Sequence, residues 1–203
     1  MVVIKHHRKS IRLKDYDYSQ AGGYFVTICT RNRECVFGKI EGSEMRLNSA
    51  GNAVRKCWDD LQNNFLDVKC DTFVVMPNHI HGIILILSDD HVGAIHESPL
   101  RTDKMMIRRR MVLPKIIGRF KMNSAKQIND LRGTPGISVW QRNYYEHVIR
   151  DENSLNRIRE YIATNPLRWQ MDKENPSCTS SDDFDRWLNS NNEPRPKVRR
   201  IAS

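Results

Sequence analysis

His79 and His81 stand one residue apart in residues 74–87, where two apolar runs meet at Pro77-Asn78 and the second opens with His-Ile-His. Strand side chains alternate between faces, so both imidazoles point the same way, about two residue rises apart. That spacing suits two nitrogens sharing one metal ion. On spacing alone it is equally compatible with two surface histidines beside a hairpin. Residues 83–87 are apolar at every position, which predicts a central strand buried between covering layers.

A second pair lies some eighty residues on. Leu155, Ile158 and Ile162 form the core stripe of a helix, and Tyr161 and Asn165 are one turn apart on one flank of it. A phenol and a carboxamide are thus presented together wherever this helix meets the sheet. The plainer alternative is a half-buried tyrosine, with an asparagine that ends the helix before Pro166.

The elements that must hold these groups are legible in order. Residues 24–30 read as a β-strand, and residues 34–47 as a hairpin turning near Glu41-Gly42-Ser43. Asn48 or Ser49 caps a helix whose stripe is Ala50, Ala53, Val54, Cys57, Trp58 and Leu61. A strand over residues 70–76 should pair antiparallel with the histidine strand. Residues 88–112 lack periodicity and read as a long loop. Leu113, Ile116, Ile117, Phe120, Ser124, Ile128 and Leu131 trace the next helix, with Gly133 beyond its end. Residues 137–140 are expected to be a short strand and residues 141–147 a polar, aromatic connection. Asp151 caps the last helix. Residues 170–203, rich in Asn, Ser, Asp, Pro and Arg, are expected to be a mostly disordered tail, relieved by Phe184, Trp187 and Leu188.

The 203 residues suit one domain, at 21–169, with polar ends. Residues 1–20 read as a basic arm. Lysine and arginine number 33 against 24 acids, a net charge of +9, which favours a polyanionic partner, nucleic acid before an anionic membrane. Basic residues crowd between Arg101 and Lys126, where Asp103 is the lone acid. Five scattered cysteines without a C-x-x-C pair indicate reduced thiols, and no apolar run approaches the ~18 residues of a membrane span, so a cytoplasmic location is expected. There is no P-loop, and no nucleotide cofactor is expected.

Three separated motifs occur in a telling order: Val75-Met76-Pro77-Asn78-His79-Ile80-His81-Gly82, then Trp140-Gln141-Arg142 with Glu146-His147, then Glu160-Tyr161-Ile162 with Asn165-Pro166. Over residues 24–169 the chain resembles the single-tyrosine HUH transposases, and within them the REP-associated tyrosine transposases. The resemblance implies an α+β fold, a ferredoxin-like antiparallel sheet with helices packed on one side. It implies that Tyr161 is the nucleophile and that His79, His81 and Asn165 hold a divalent metal, Mg2+ or Mn2+. The implied reaction is cleavage and rejoining of single-stranded DNA near hairpins through a 5′-phosphotyrosine. Expected DNA contacts are Arg108, Arg109, Arg110, Lys115, Arg119, Lys121 and Lys126, with Gln141 and Arg142, while Tyr144 or Tyr145 could stack an unpaired base. Some single-tyrosine relatives are dimers with shared active sites, which makes a homodimer an expected assembly. The chain departs from many relatives at Asn78, where they place an acid, in the loop at 88–112 and in the tail. The competing readings are an HUH nickase of replication or conjugation type, a catalytically idle hairpin-binding protein, and a nuclease that uses water.

Overall fold

The computed structural model describes residues 21–87, 112–178 and 182–190. The expected basic arm, the loop with Arg108, Arg109 and Arg110, and the ends of the tail lie outside the described residues. In chain order the elements are β1 (Gly22–Cys29), β2 (Gly38–Glu41), β3 (Glu44–Leu47), α1 (Ser49–Asp59), α2 (Leu61–Asn64), β4 (Val68–Val75), β5 (His79–Ile86), α3 (Val112–Arg132), β6 (Tyr145–Ile149), α4 (Glu152–Thr164), a 3-10 segment (Asn165–Met171) and α5 (Asp183–Ser190).

β4, β5, β1 and β6 form one antiparallel sheet in that order, and β2 and β3 form a separate two-stranded ribbon. The ribbon turns where expected: Gly42 and Ser43 both have positive φ, 55° and 67°, the pair of left-handed residues a tight hairpin needs. Alternation along β1 sorts the core into two layers. Tyr24, Val26 and Ile28 meet α1 and α3 through Val54, Trp58, Leu113, Ile116 and Phe120. Phe25 points to the opposite face, where Ile83, Ile158, Tyr161, Ile162, Phe184 and Leu188 gather. The sheet is the α+β, antiparallel one expected, with α1 and α3 side by side on one face. In addition α4 and α5 cover the other, which explains why β5 is apolar on both sides.

Two local expectations need correction. The strand lies at Tyr145–Ile149 and not at residues 137–140, which contribute a single bridge between Trp140 and Thr30. Pairing with the central strand β1 outweighs the polar look of Glu146 and His147, both buried. The supposed tail is also structured where it is described: residues 165–171 continue as a 3-10 helix after α4, and α5 packs Phe184 and Leu188 into the second layer. The composition that reads as disordered hides one short amphipathic helix and several charged anchors. Arg168 pairs with Asp182, and Lys173 Nζ is 2.6 Å from Asp185. Among the described residues no helix is long and apolar enough to cross a membrane.

Candidate active site and metal centre

The histidine strand is placed from both sides. β5 pairs with β1 so that His81 is opposite Thr27 and His79 opposite Cys29, on the face that carries Phe25. The turn before it is tied down by its backbone: Met76 N–H donates to His79 O at 2.8 Å and Thr30 N–H to Asn78 O at 2.8 Å. Gly82, between the two layers, leaves room for the Trp58 ring.

Hydrogen bonds fix how the imidazoles face. The fully buried Asn78 spends its amide hydrogens on Glu174 O at 2.7 Å and Arg33 O at 3.1 Å. Its Oδ1 therefore accepts from His79 Nδ1, 2.8 Å away, and leaves a lone pair on His79 Nε2. Thr27 Oγ1 lies 2.9 Å from His81 Nδ1. The two Nε2 atoms face one another at 3.0 Å. Asp172 Oδ2 stands 3.5 Å from the first and 3.8 Å from the second. Burial, reinforced by His81 and opposed by Asp172, drives His79 down to about 3, so its imidazole is neutral at physiological pH. Burial would raise Asp172, but hydrogen bonding to His81, both imidazoles and the Glu174 N–H hold it below the usual carboxylate range.

α4 brings up the other pair. Asp151 caps it as expected, accepting from Ser154 N–H at 2.8 Å. Arg159 anchors it to β4 by a two-pronged contact with Asp71, at 2.9 and 2.7 Å, where a register shift between Cys70 and Phe73 interrupts the ladder. The Tyr161 hydroxyl ends 3.4 Å from His81 Nε2. Its ring is sandwiched between Phe184 and the edge of Phe25. Burial, then Asp172, Asp185 and Asp182, push its phenol well above the usual tyrosine range, with Arg168 opposing. Asn165, 1 % exposed, donates from Nδ2 to Asp172 Oδ2 at 3.0 Å, and its Oδ1 has no hydrogen-bond partner among the described residues.

Histidine, histidine, asparagine and tyrosine from two distant stretches are therefore brought together. The donor set fits a divalent cation: the two imidazole Nε2 atoms, a carboxylate and an orphaned amide oxygen are buried together. Asp172 was not anticipated, nor were Arg33, Arg168 and Lys173 around it, because the segment carrying three of the four has no periodicity.

The expected DNA contacts divide. Lys115 and Lys126 are exposed on α3, which packs on the face of the sheet opposite Tyr161. Arg119 donates to Asn64 Oδ1 at 2.8 Å. Lys121 is half-buried and its Nζ bonds the carbonyls of Gln141 and Arg142, so it serves the fold. Gln141 is half-buried and Arg142 exposed at the histidine end of the sheet, where Gln141 N–H donates to Cys29 O. Tyr144 and Tyr145 pack their rings into the first and second core layers, respectively, so neither is a free stacking platform.

No family model matches the chain. It is 43 % identical over 171 residues to an uncharacterized protein of Haemophilus influenzae, covering 83 % of this chain and 93 % of that one. A second Haemophilus influenzae protein, assigned provisionally to the REP-associated tyrosine transposases, is 26 % identical over 152 residues, 75 % of this chain and 74 % of its own. Among solved structures, a REP-associated tyrosine transposase bound to a REP hairpin has a TM-score of 0.46 and 19 % identity, over 90 % of this chain and 88 % of its own. A provisionally assigned transposase from Deinococcus radiodurans has a TM-score of 0.41 and 15 % identity, over 75 % and 96 %. The chain belongs to one family with the 43 % identical Haemophilus influenzae protein, and the group it is similar to is that of the REP-associated tyrosine transposases.

Proposed function

We propose that this protein is a metal-dependent transposase that cleaves and rejoins single-stranded DNA near hairpins through a covalent bond to Tyr161. The observation that carries the reading is the Tyr161 hydroxyl, 3.4 Å from His81 Nε2 at the edge of the convergent donor set. His79 and His81, with Asn165 through its orphaned Oδ1, would hold Mg2+ or Mn2+, which when bound supplies positive charge beside a phosphate oxygen and the phenol.

The chain's own residues do the rest. Tyr161 Oη forms a bond to phosphorus as the bond from phosphorus to the 3′-oxygen breaks, and the phenol's proton ends on that oxygen as a 3′-hydroxyl. Attack by another strand's 3′-hydroxyl reverses the step, and the phosphodiester energy is kept in the phosphotyrosine. Phe25 and Phe184 orient the ring, and Arg168, over its face at 5.8 Å, opposes the three carboxylates that disfavour phenolate without cancelling them. Asn78 and Thr27 hold the imidazoles so that their Nε2 atoms converge.

Labelled single-stranded hairpin DNA with Mn2+ should give a denaturation-resistant adduct with the native protein and none with Tyr161→Phe. A second reading, a catalytically idle hairpin binder, is favoured by one observation, the burial of Tyr161 beneath Phe184. Hairpin binding with no adduct in either protein selects it, and cleavage without an adduct selects a nuclease that uses water.

A further inference from the structure

We infer that Asp172 is a further ligand of the divalent ion, so that the segment following α4 completes a metal site which the strand and helix alone leave open. The inference rests on the metal-dependent reading given above and adds to it a residue outside the three resemblance motifs.

Geometry comes first. One ligand atom from each of His79, His81 and Asp172 lies within 4.8 Å of the others, and all three residues are buried. Because Asn78 obliges His79 to present a lone pair from Nε2, no hydrogen from that nitrogen reaches the carboxylate. Two acceptors thus face each other across 3.5 Å, an arrangement that a cation between them relieves.

Charge points the same way. The Asp172 side chain is 0 % exposed, and the cations around it are engaged elsewhere: Arg33 with Glu174, Arg168 with Asp182, Lys173 with Asp185. Among the described residues its ion-pair contacts are the two imidazoles alone. A buried carboxylate without a countercharge is costly, and a divalent ion on the imidazoles supplies one.

The carboxylate is also aimed. Oδ1 accepts from Glu174 N–H at 2.7 Å, and Oδ2 from Asn165 Nδ2 at 3.0 Å. The next turn is stapled to the turn before the histidine strand by Asn78 Nδ2 on Glu174 O, and to the end of β1 and the residues after it by Glu174 on Cys29 and Arg33. Trp169 stacks near His79 with ring centroids 6.0 Å apart. These anchors fix Asp172 without using up Oδ2. Two imidazoles and a carboxylate make a nitrogen and oxygen set that suits Mn2+ while leaving positions for phosphate oxygens.

The test uses the full chain and Mn2+ alone, with affinity read by calorimetry or by the electron paramagnetic resonance of free Mn2+. Asp172→Asn keeps the side chain's size and its acceptor for Glu174 N–H. It is expected to bind Mn2+ at least about tenfold more weakly than the native protein. Equal or tighter binding by D172N, with binding lost in His81→Ala, would uphold the metal reading and overturn the inference; tighter binding would mean that Asp172 competes with the ion. No Mn2+ binding by the native protein would overturn both. Should D172N fail to melt cooperatively, infrared spectra of the native protein with 13C-labelled aspartate decide: a carboxylate band that moves on Mn2+ addition supports ligation, and a fixed one overturns it.

Discussion

The Tyr161 ring lies stacked on Phe184, with centroids 3.6 Å apart and planes 7° from parallel. The residue proposed to attack DNA is thus covered by a helix that carries none of the three resemblance motifs. That helix also brings Asp185, and Asp182 just before it, toward the phenol, both of which oppose its ionisation. Phe184→Ala removes the covering ring, so the Tyr161 phenol should ionise at lower pH than in the native protein. An ultraviolet titration of F184A against a Phe184→Ala, Tyr161→Phe double variant isolates that one phenol. An unchanged midpoint would mean that the burial by Phe184 is not what holds the proton.

Gly82 lies beside His81 but faces the other layer, where an added Cβ would sit 2.4 Å from the Trp58 ring. Trp58 is stacked on Phe73 at 4.4 Å and has no slack on that side. Gly82→Ala should therefore cost about 1–3 kcal/mol of stability through overpacking, read from chemical denaturation. A neutral substitution would show that the ring can slide away.

The pair of Arg159 with Asp71 is the tether between α4 and β4. Hydrogen bonding to Arg159 foremost, with Thr72, holds the Asp71 carboxyl well below its usual range despite partial burial. A carboxylate depressed in the folded state contributes stability above its unfolded pKa and loses it as pH falls. Asp71→Asn should cost about 1 kcal/mol at pH 7, since the pair is partly exposed. The gap between native and variant should stay flat down to about pH 5 and shrink below about pH 4. Denaturation across that range checks it, and a gap that widens in acid would have the sign wrong.

The lysines of α3 should separate by role. Exposed Lys115 and Lys126 are free to meet phosphate, whereas Lys121 is committed to two backbone carbonyls. Alanine at Lys115 or Lys126 should lower the salt slope of hairpin binding by about 1 each. Lys121→Ala should leave the slope alone and cost about 1 kcal/mol of stability instead. Equal slope changes in all three would return Lys121 to the DNA surface.

The parts of the site on regular elements were legible in the sequence because periodicity carries orientation. Alternation put His79 and His81 on one face, and the helical interval put Tyr161 beside Asn165; caps at the starts of α1 and α4, Asn48 and Asp151, set the phase there. The rest was not legible, for physical reasons. Asp172 sits after a 3-10 segment, where no repeat says which way a side chain points, and it is aimed by a hydrogen bond from Asn165 seven residues earlier. β6 was read as a connection because its Glu146 and His147 are polar, yet pairing with β1 buries them. Lys121 carries the same charge as its exposed neighbours, and only the chain folding back at Gln141 and Arg142 shows its different task.

If Tyr161 Oη is the atom that bonds to phosphorus, the covalent adduct carries its nucleotide on that residue. The native protein, incubated with a single-stranded hairpin and Mn2+, then denatured and digested with protease and nuclease, should yield a nucleotide-bearing peptide by mass spectrometry, with the phosphate on Tyr161. A nucleotide on Tyr144 or Tyr145, or an adduct that survives Tyr161→Phe, would exclude Tyr161 as the nucleophile.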